Sequence, residues 1–387
     1  MRTYLSTRWL LSGILTLFVL LLLIVAQIQP SQADPFPLPV TPVALPSTTH
    51  LAVITNDIKN NNLSVIAYPL GPMGLPQTTI GLPLFDMPIN QQCQPYDMVA
   101  SPDSRFLVLQ FGCYESAFVL LLSLNTQPIG AKSLSNTLFL NWSPDSKWLL
   151  VKQIDTESIW LMPTAQGKGV ELSLPAEVYD VAFTPEGQHL LYASSKGLGF
   201  GSVLGAFDLT NGEMSIWQEI PDWILSYPVW SPDGQYLAYI LMPDTSTPFS
   251  VGELWLADRQ GQPLKRLAEG VDTGHGYAPV WAPDGQSLVY VYRQNADDPL
   301  ADRNPLALHS NLYQVEIGTG EIMPLSSFTA TIVYDPVWLP DGTQLTFTVQ
   351  DQVWLSSPGS VPMPVGPAGI SSRFPAWLSL PELPSPD

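Results

Sequence analysis

Short apolar segments follow one another along most of this chain, and polar turns separate them. In the stretch from Tyr227 to Leu267, these segments are Tyr227–Trp230, Tyr236–Ile240, Glu253–Ala257 and Pro263–Leu267. Segments of this length, rich in aromatic and aliphatic residues and bounded by Gly, Pro, Asp and Ser, are typical of β-strands. The pattern therefore predicts four antiparallel strands within about 40 residues.

One turn motif occurs six times. An aromatic or small residue is followed by Ser, Thr, Ala or Leu, then Pro, then Asp or Glu, then Gly or Ser. The copies are Ala100–Ser104, Trp142–Ser146, Phe183–Gly187, Trp230–Gly234, Trp281–Gly285 and Trp338–Gly342. Proline presets φ in the turn, and glycine takes the left-handed position that closes a hairpin. A four-stranded unit copied at this spacing predicts the blades of an all-β propeller.

The two ends of the repeated region predict how the propeller closes. Residues 48–54 match the second strand of a blade that has no first strand, and Phe374–Trp377 match a first strand with nothing after it. Joined, the two ends complete one more blade, which predicts seven four-stranded antiparallel blades closed by the C-terminal strand. Six blades is the alternative, if the copy near Ala100 does not form a proper blade. The predicted propeller spans 48–380, and 381–387 form a tail.

The segment from Pro228 to Gly234 reads Pro-Val-Trp-Ser-Pro-Asp-Gly. It resembles the WD-like propeller repeat of the periplasmic protein TolB, and the resemblance covers essentially all of 48–380. Similar repeats occur in the propellers of prolyl-oligopeptidase-type enzymes and in oligogalacturonate lyases. The resemblance implies a TolB-like β-propeller, but this fold carries binding proteins and enzymes alike, so it implies no single function.

The N-terminal 33 residues resemble a secretory signal. Arg2 and Arg8 precede an apolar run from Trp9 to Ala26, and Ser31–Ala33 supply small residues before a cleavage site. Cleavage after Ala33 is expected, and an uncleaved membrane anchor is the alternative because the run is nearly long enough to span a bilayer. Either outcome predicts an extracytoplasmic propeller, whether periplasmic, secreted or membrane-anchored. Residues 34–47 are proline-rich and read as a linker.

The charge balance excludes one class of partner. The whole chain has a formal charge of −19, and removal of the two arginines in the first 33 residues leaves 34 acidic and 13 basic groups, a charge of −21. Such a surface repels nucleic acid and attracts cationic partners. A protein, peptide or glycan ligand is therefore expected, with a cationic group favoured, and a membrane contact only through an uncleaved N-terminus.

The two cysteines predict a cross-strand disulfide. Cys93 and Cys113 lie ten residues on either side of Asp103, at the centre of the first hairpin turn. An antiparallel hairpin brings them opposite each other, and an exported protein favours their oxidation. Two buried thiols are the alternative.

The longer copies predict which face binds. Spacing between successive motif prolines grows from 41 or 42 residues to 57. The additions fall on one face of the predicted ring, opposite the proline turns, and they are Ser194–Gly201, Pro243–Gly252, Glu269–Tyr277 and Arg293–Ser310. Binding residues concentrate on such loops.

A column of acidic and aromatic residues, with its neighbours, precedes the first strands and is expected to ring the mouth of the channel. The predicted ligand-binding residues are Asp97, Tyr179, Asp180, Tyr227, His275, Tyr277, Tyr334 and Asp335. An acidic, aromatic rim suits a cationic ligand, a peptide amine or a metal. In the alternative interpretation, each aspartate accepts hydrogen bonds from backbone amides of the adjacent loop.

Catalytic chemistry has weak support in the sequence. No Gly-x-Ser-x-Gly elbow occurs, and the chain has four histidines. The favoured function is non-catalytic binding by an extracytoplasmic propeller, with no cofactor and no metal. The alternative is a metal-dependent hydrolase or lyase that uses His275, His309 and nearby carboxylates.

Overall fold

A computed structural model describes residues 47–381, except 58–60, 72–73, 90–91, 115, 127, 176, 248–249, 274–276, 305–306, 358 and 367–369. The predicted signal segment, nearly all of the linker, His275 and the end of the tail lie outside the described residues. Within the described part, no helix is long and apolar enough to cross a membrane.

The described residues form 28 strands and no α-helix. They form five four-stranded antiparallel sheets, which are units 1 to 4 and unit 7, and one eight-stranded sheet, which contains units 5 and 6. The first strand of each unit is innermost, and these strands, from unit 1 to unit 7, are β28 (Ser371–Pro381), β4 (Cys93–Ala100), β8 (Thr137–Trp142), β12 (Val178–Phe183), β16 (Trp223–Trp230), β20 (Val280–Trp281) and β24 (Val333–Trp338).

The remaining strands follow in the same unit order. The second strands are β1 (Ser47–Asp57), β5 (Phe106–Cys113), β9 (Trp148–Gln153), β13 (His189–Ser195), β17 (Tyr236–Pro243), β21 (Ser287–Arg293) and β25 (Leu345–Val349). The third strands are β2 (Asn62–Pro69), β6 (Ala117–Ser123), β10 (Ile159–Pro163), β14 (Ser202–Asp208), β18 (Val251–Asp258), β22 (Ser310–Glu316) and β26 (Gln352–Ser356). The fourth strands are β3 (Leu82–Pro88), β7 (Gly130–Ser135), β11 (Val170–Leu172), β15 (Met214–Ile220), β19 (Pro263–Asp272), β23 (Ile322–Pro324) and β27 (Met363–Pro364).

Neighbouring units contact each other in chain order. Inner strands β8, β12, β16, β20 and β24 touch in succession, β24 touches β28, and β28 touches β4. Unit 2 reaches unit 3 through β5 and β6, which contact β8. Units 5 and 6 are also joined by a bridge between Val271 and Tyr292, which makes them one continuous eight-stranded sheet.

Unit 1 takes its strands from both ends of the chain. β28 pairs antiparallel with β1. Ser47 lies opposite Pro381 at one end of the pair and Asn56 lies opposite Ser371 at the other, with one register shift between them. Phe374, Trp377 and the C-terminal leucines of β28 are buried in the cores on its two faces. The predicted pairing of the two ends is therefore present in the structure.

The proline turns have the geometry that their residues predict. Ser231 Oγ accepts the Tyr236 N–H at 2.9 Å, and the Asp233 carboxylate accepts the Gln235 N–H at 3.0 Å. Gly234 has φ +66°, and a Cβ there would lie 3.0 Å from Cγ of Pro185 in the preceding unit. Glycine is therefore required both by the left-handed turn and by the close approach of the neighbouring turn.

The hydrophobic core lies between facing sheets. Between units 4 and 5, for example, buried Leu204 and Leu225 pack with Tyr239, whose ring is fully buried. The repeated first-strand tryptophans Trp281 and Trp338 are 7% exposed, so their rings belong to these interfaces and not to a surface platform. This burial is the one expected of aromatic rings that recur at the same position in most of the units.

The Cys93–Cys113 disulfide is present. The two cysteines are direct cross-strand partners at the end of the β4–β5 pair, as predicted from their spacing around the hairpin turn.

One of the four predicted loop additions is partly wrong. The connections 196–201, 244–250 and 294–309 join second strands to third strands, at the opposite end of the second strands from the proline turns, as predicted. Residues 269–272, however, continue strand β19 and do not form a loop. The extension is stabilised by its pairing with β18, where Val251 lies opposite Asp272, and by the bridge from Val271 to the next unit.

Candidate functional site

The inner strands bulge at the level of the predicted mouth. Tyr227, Asp335 and Phe374 have positive φ values of 54°, 52° and 55°, and the ladder of each strand is interrupted there. Each of the three residues precedes a proline. Proline cannot donate to a ladder and occurs inside sheets mainly at bulges, so these prolines were the sequence signal for this feature. At these bulges, the residues of the predicted ligand-binding column do not follow regular strand geometry.

Tyr179 and Asp180 connect unit 4 to unit 5. Asp180 Oδ2 accepts the Tyr227 N–H at 2.6 Å, and the Tyr179 hydroxyl donates to the Leu225 carbonyl oxygen at 2.6 Å. Burial raises the pKa of Asp180 to about 6, although the hydrogen bond from Tyr227 opposes that effect. Asp180 therefore accepts a hydrogen bond from a backbone amide, as in the alternative interpretation of the aspartate column.

Asp97 belongs to a second network, which joins unit 2 to unit 3. Gln110 Nε2 donates to Asp97 Oδ2 at 2.9 Å, while Gln110 Oε1 accepts the Tyr96 hydroxyl at 2.9 Å and the Phe139 N–H at 2.8 Å. Burial raises the pKa of Asp97, and the hydrogen bond from Gln110 partly offsets this. Gln110 is 5% exposed and was not predicted as a site residue.

Asp335 differs from these two aspartates. Its Oδ2 atom is buried and makes no hydrogen bond to any described residue. Burial and, next, the charge of Asp97 raise the pKa of Asp335 well above its usual value, while Arg373 lowers it. Arg373 is itself paired with Asp351 at 3.4 Å, and its guanidinium lies 5.6 Å from the centre of the Phe374 ring. The carboxylate therefore lacks a dedicated counter-charge.

Two tyrosine rings lie beside Asp335. Tyr277 and Tyr334 stack with ring centroids 5.4 Å apart and an interplanar angle of 17°. Burial raises the pKa of Tyr277 well above its usual value, and the nearby charge of Asp335 adds to the effect. The ionised form of Asp335 is therefore next to aromatic rings that stay neutral.

The structure thus divides the predicted residues into two groups. Tyr179, Asp180 and Tyr227 lie together at the junction of units 4 and 5, and their polar atoms bond mainly to protein. Tyr277, Tyr334, Asp335 and Asp97 lie in the second group, around units 6, 7, 1 and 2. Tyr227 connects the groups, since its charge contributes to the raised pKa of Tyr277. His275 lies outside the described residues.

Asp272 was missed by the sequence analysis. It is fully buried, and its charge contributes to the raised pKa values of Tyr227 and Tyr277. Its position inside the unexpected extension of β19 explains the omission, because a loop carboxylate would have been taken as solvated.

The longest insertion, 294–309, contacts a buried arginine at its base. Arg293 is 0% exposed and pairs with Asp302 at 2.9 Å. Asn295 bridges the base of the loop, because its amide donates to the Ala307 carbonyl at 2.7 Å and its Oδ1 accepts the His309 N–H at 3.0 Å. Among the described residues, no group of three or more His, Cys, Asp or Glu side chains is placed to hold a metal ion.

The raised pKa of Asp180 predicts a pH effect on stability. The folded state binds the proton more tightly than the unfolded chain, so this group's contribution to the free energy of unfolding falls as pH rises from about 4 to 6. Asp180→Asn keeps an acceptor for the Tyr227 N–H and has no such titration. We expect the stability of the variant relative to wild type to rise across this window and then level off, in urea unfolding at several pH values. A difference that is constant with pH would contradict the prediction.

No protein-family model matches the chain. Dipeptidyl-peptidase 5 from Porphyromonas gingivalis is 24% identical over 155 residues, 38% of this chain. The uncharacterized peptidase YuxL from Bacillus subtilis is 25% identical over 146 residues, 31% of this chain. Each match spans 21% of the relative's length, so the similarity concerns a fraction of those proteins.

Solved structures resemble the chain more extensively. The dihydro-heme d1 dehydrogenase NirN has a TM-score of 0.54 and 15% identity, over 88% of this chain and 77% of that one. TolB from Acinetobacter baumannii has a TM-score of 0.46 and 16% identity, over 82% of this chain and 79% of that one. At these identities, a likeness concerns the fold alone. The likeness to NirN, together with the chain's own antiparallel sheets, supports the β-propeller fold predicted from the repeat. TolB proteins are among the similar structures.

Proposed function

We propose that this chain is an extracytoplasmic, seven-bladed propeller, closed by β28, that binds a protein or peptide partner and catalyses no reaction. The partner contacts the face carrying the long loops and places a cationic group at the channel mouth. The observation that carries the proposal is the buried Asp335 Oδ2, which makes no hydrogen bond to a described residue and lies beside the stacked Tyr277 and Tyr334 rings.

The electrostatics support a cationic group at this position. A buried carboxylate without its own counter-charge is stabilised when a cation arrives, and the aromatic rings add a cation–π attraction. Acidic residues outnumber basic ones by 34 to 15 over the chain, so the overall field draws a basic partner toward the surface. A lysine or arginine side chain or a peptide amine has the required charge.

The compartment and the ring are supported by separate features. The disulfide favours an oxidising environment outside the cytoplasm, in agreement with the predicted secretory signal. Seven blades are supported by the seven four-stranded units and by contacts that run from unit to unit around to β28. β28 pairs with the edge of β1 that would otherwise be unpaired, which supports closure through the C-terminal strand.

The test uses hexalysine and hexaarginine as probes, with hexaglutamate as the charge control, in calorimetric titrations. We expect both basic peptides to bind the wild type and hexaglutamate not to bind. Asp335→Asn should weaken binding about thirtyfold or more, because losing one partner of a buried charge pair costs about 2 kcal/mol or more. Asp284→Asn removes the same charge from an exposed site on the turn face and should leave binding unchanged. No binding of either basic peptide, or equal affinity in Asp335→Asn, would refute the proposal.

A second candidate is a metal-dependent hydrolase or lyase, and the similarity to two peptidases favours keeping it. It requires His275 and His309 to share a metal with carboxylates. Metal analysis of purified protein, with assays on peptides and uronates, distinguishes the candidates. Bound metal together with turnover that is lost in His309→Ala would support the enzyme.

A further inference from the structure

A cleft of about 410 Å³ opens between units 4 and 5, on the side of the proline turns. Its walls come from the turn before β13, from β14 and β15, and from Trp230 with the turn after β18. The channel-mouth residues take no part in it. The cleft is therefore separate from the site described above, and its volume is within the range of ligand pockets.

The charged groups of the cleft are paired with each other. Arg259 of unit 5 forms an ion pair with Glu186 of unit 4. The pairing leaves a charge-balanced wall on a protein that is otherwise strongly acidic. Such a wall gives no net attraction to a cation or an anion.

The other polar side chains of the cleft are neutral. Gln188 and Gln260 are exposed, and each amide can both donate and accept hydrogen bonds. The Ser215 hydroxyl has the same double capacity. These groups match a ligand that carries several hydroxyls, each of which also donates and accepts.

Trp217 gives the cleft an aromatic wall that the repeat does not require. None of the other six fourth strands contains tryptophan. The turn of unit 5 packs against this ring, since a Cβ on Gly261 would lie 2.9 Å from the Trp217 ring. Gln262 Nε2 also donates to the Trp217 carbonyl oxygen, at 3.4 Å. The half-buried indole is thus positioned by the neighbouring unit.

We propose that this cleft is a binding site for a neutral saccharide, of the size of a mono- or disaccharide. The apolar face of a sugar ring stacks on Trp217, and its hydroxyls bond to Gln188, Gln260 and Ser215. The site is independent of the proposed peptide binding, since the two use different residues on opposite faces of the propeller.

Saturation-transfer NMR tests the site with glucose, galactose, mannose, N-acetylglucosamine, cellobiose and chitobiose as probes. We expect at least one of these sugars to bind the wild type, and Trp217→Ala to weaken that binding roughly tenfold, as for an aromatic anchor. Phe200→Ala is the matched control, because that ring is 69% exposed on the opposite face and should have no effect.

A second variant and a comparison with charged sugars test the same proposal. If Trp217→Ala does not fold, the double variant Gln188→Ala/Gln260→Ala replaces it, since both side chains are exposed, and it should weaken binding in the same way. Galacturonate and glucosamine should bind more weakly than galactose and glucose. The proposal is overturned if none of the six neutral sugars binds, if the cleft variants bind as well as wild type, or if the charged sugars bind more tightly. Hexalysine binding that persists in Trp217→Ala shows that the two sites are separate.

Discussion

Deletion of residues 371–387 is expected to abolish cooperative folding. It removes β28 and with it the buried side chains of Phe374, Trp377, Leu378 and Leu380. Each of these contributes about 2–3 kcal/mol by burial, so their sum is comparable to the entire stability of a typical domain, about 5–15 kcal/mol. Circular dichroism during heating and urea titration would show no cooperative transition.

The control for this deletion is removal of 382–387 alone, which keeps all of β28 and should leave the unfolding midpoint unchanged. Trp377→Ala is the graded version, with an expected loss of about 3–5 kcal/mol from the cavity that replaces a 6% exposed ring. A 371–387 deletion that unfolds at the wild-type midpoint would contradict the role assigned to β28 as the inner strand of unit 1.

Asp302→Ala is expected to cost about 3 kcal/mol of unfolding free energy, near the lower end for breaking a buried ion pair. The guanidinium of Arg293 is completely buried and loses this carboxylate, while Asp302 itself is partly exposed. Denaturant unfolding measures the loss. Adding Arg293→Met should recover part of it, because the variant removes the buried charge and keeps most of the side-chain volume.

The matched control on the same loop is Asp297→Ala, since Asp297 is exposed and should change stability by less than about 0.5 kcal/mol. Equal effects of the two aspartate substitutions would mean that the 294–309 loop does not depend on Arg293. In that case, the base of the loop would rest on the Asn295 bridge and on the backbone hydrogen bond from Gln294 to His309.

Local chemistry was sufficient to predict the strands, the turns and the disulfide. The Ser-Pro-Asp-Gly residues specify their hairpin by themselves, so each copy marks the boundary between a first and a second strand. Cys93 and Cys113 became partners because a hairpin fixes which residues lie opposite each other. The contact of β28 with β1 followed from incomplete copies at the two ends.

What sequence reasoning missed depends on contacts between units. The extension of β19 is stabilised by a bridge to Tyr292 of the next unit, which no local pattern reveals. Likewise, Asp180 and Asp335 have the same residue type and column position, yet only Asp180 receives a backbone N–H from the following unit. The column was thus predictable, but the sequence did not indicate which aspartate has a carboxylate oxygen without a hydrogen bond.

The way β1 and β28 pair has a mechanical consequence. Because these strands are antiparallel, Ser47 lies opposite Pro381, and both chain exits leave from the same end of the pair. Tension applied through the two exits would load one rung of hydrogen bonds at a time and peel the strands apart, whereas a parallel arrangement would load all rungs together. Force applied to the two chain ends is therefore expected to open the propeller by unzipping β28 from β1.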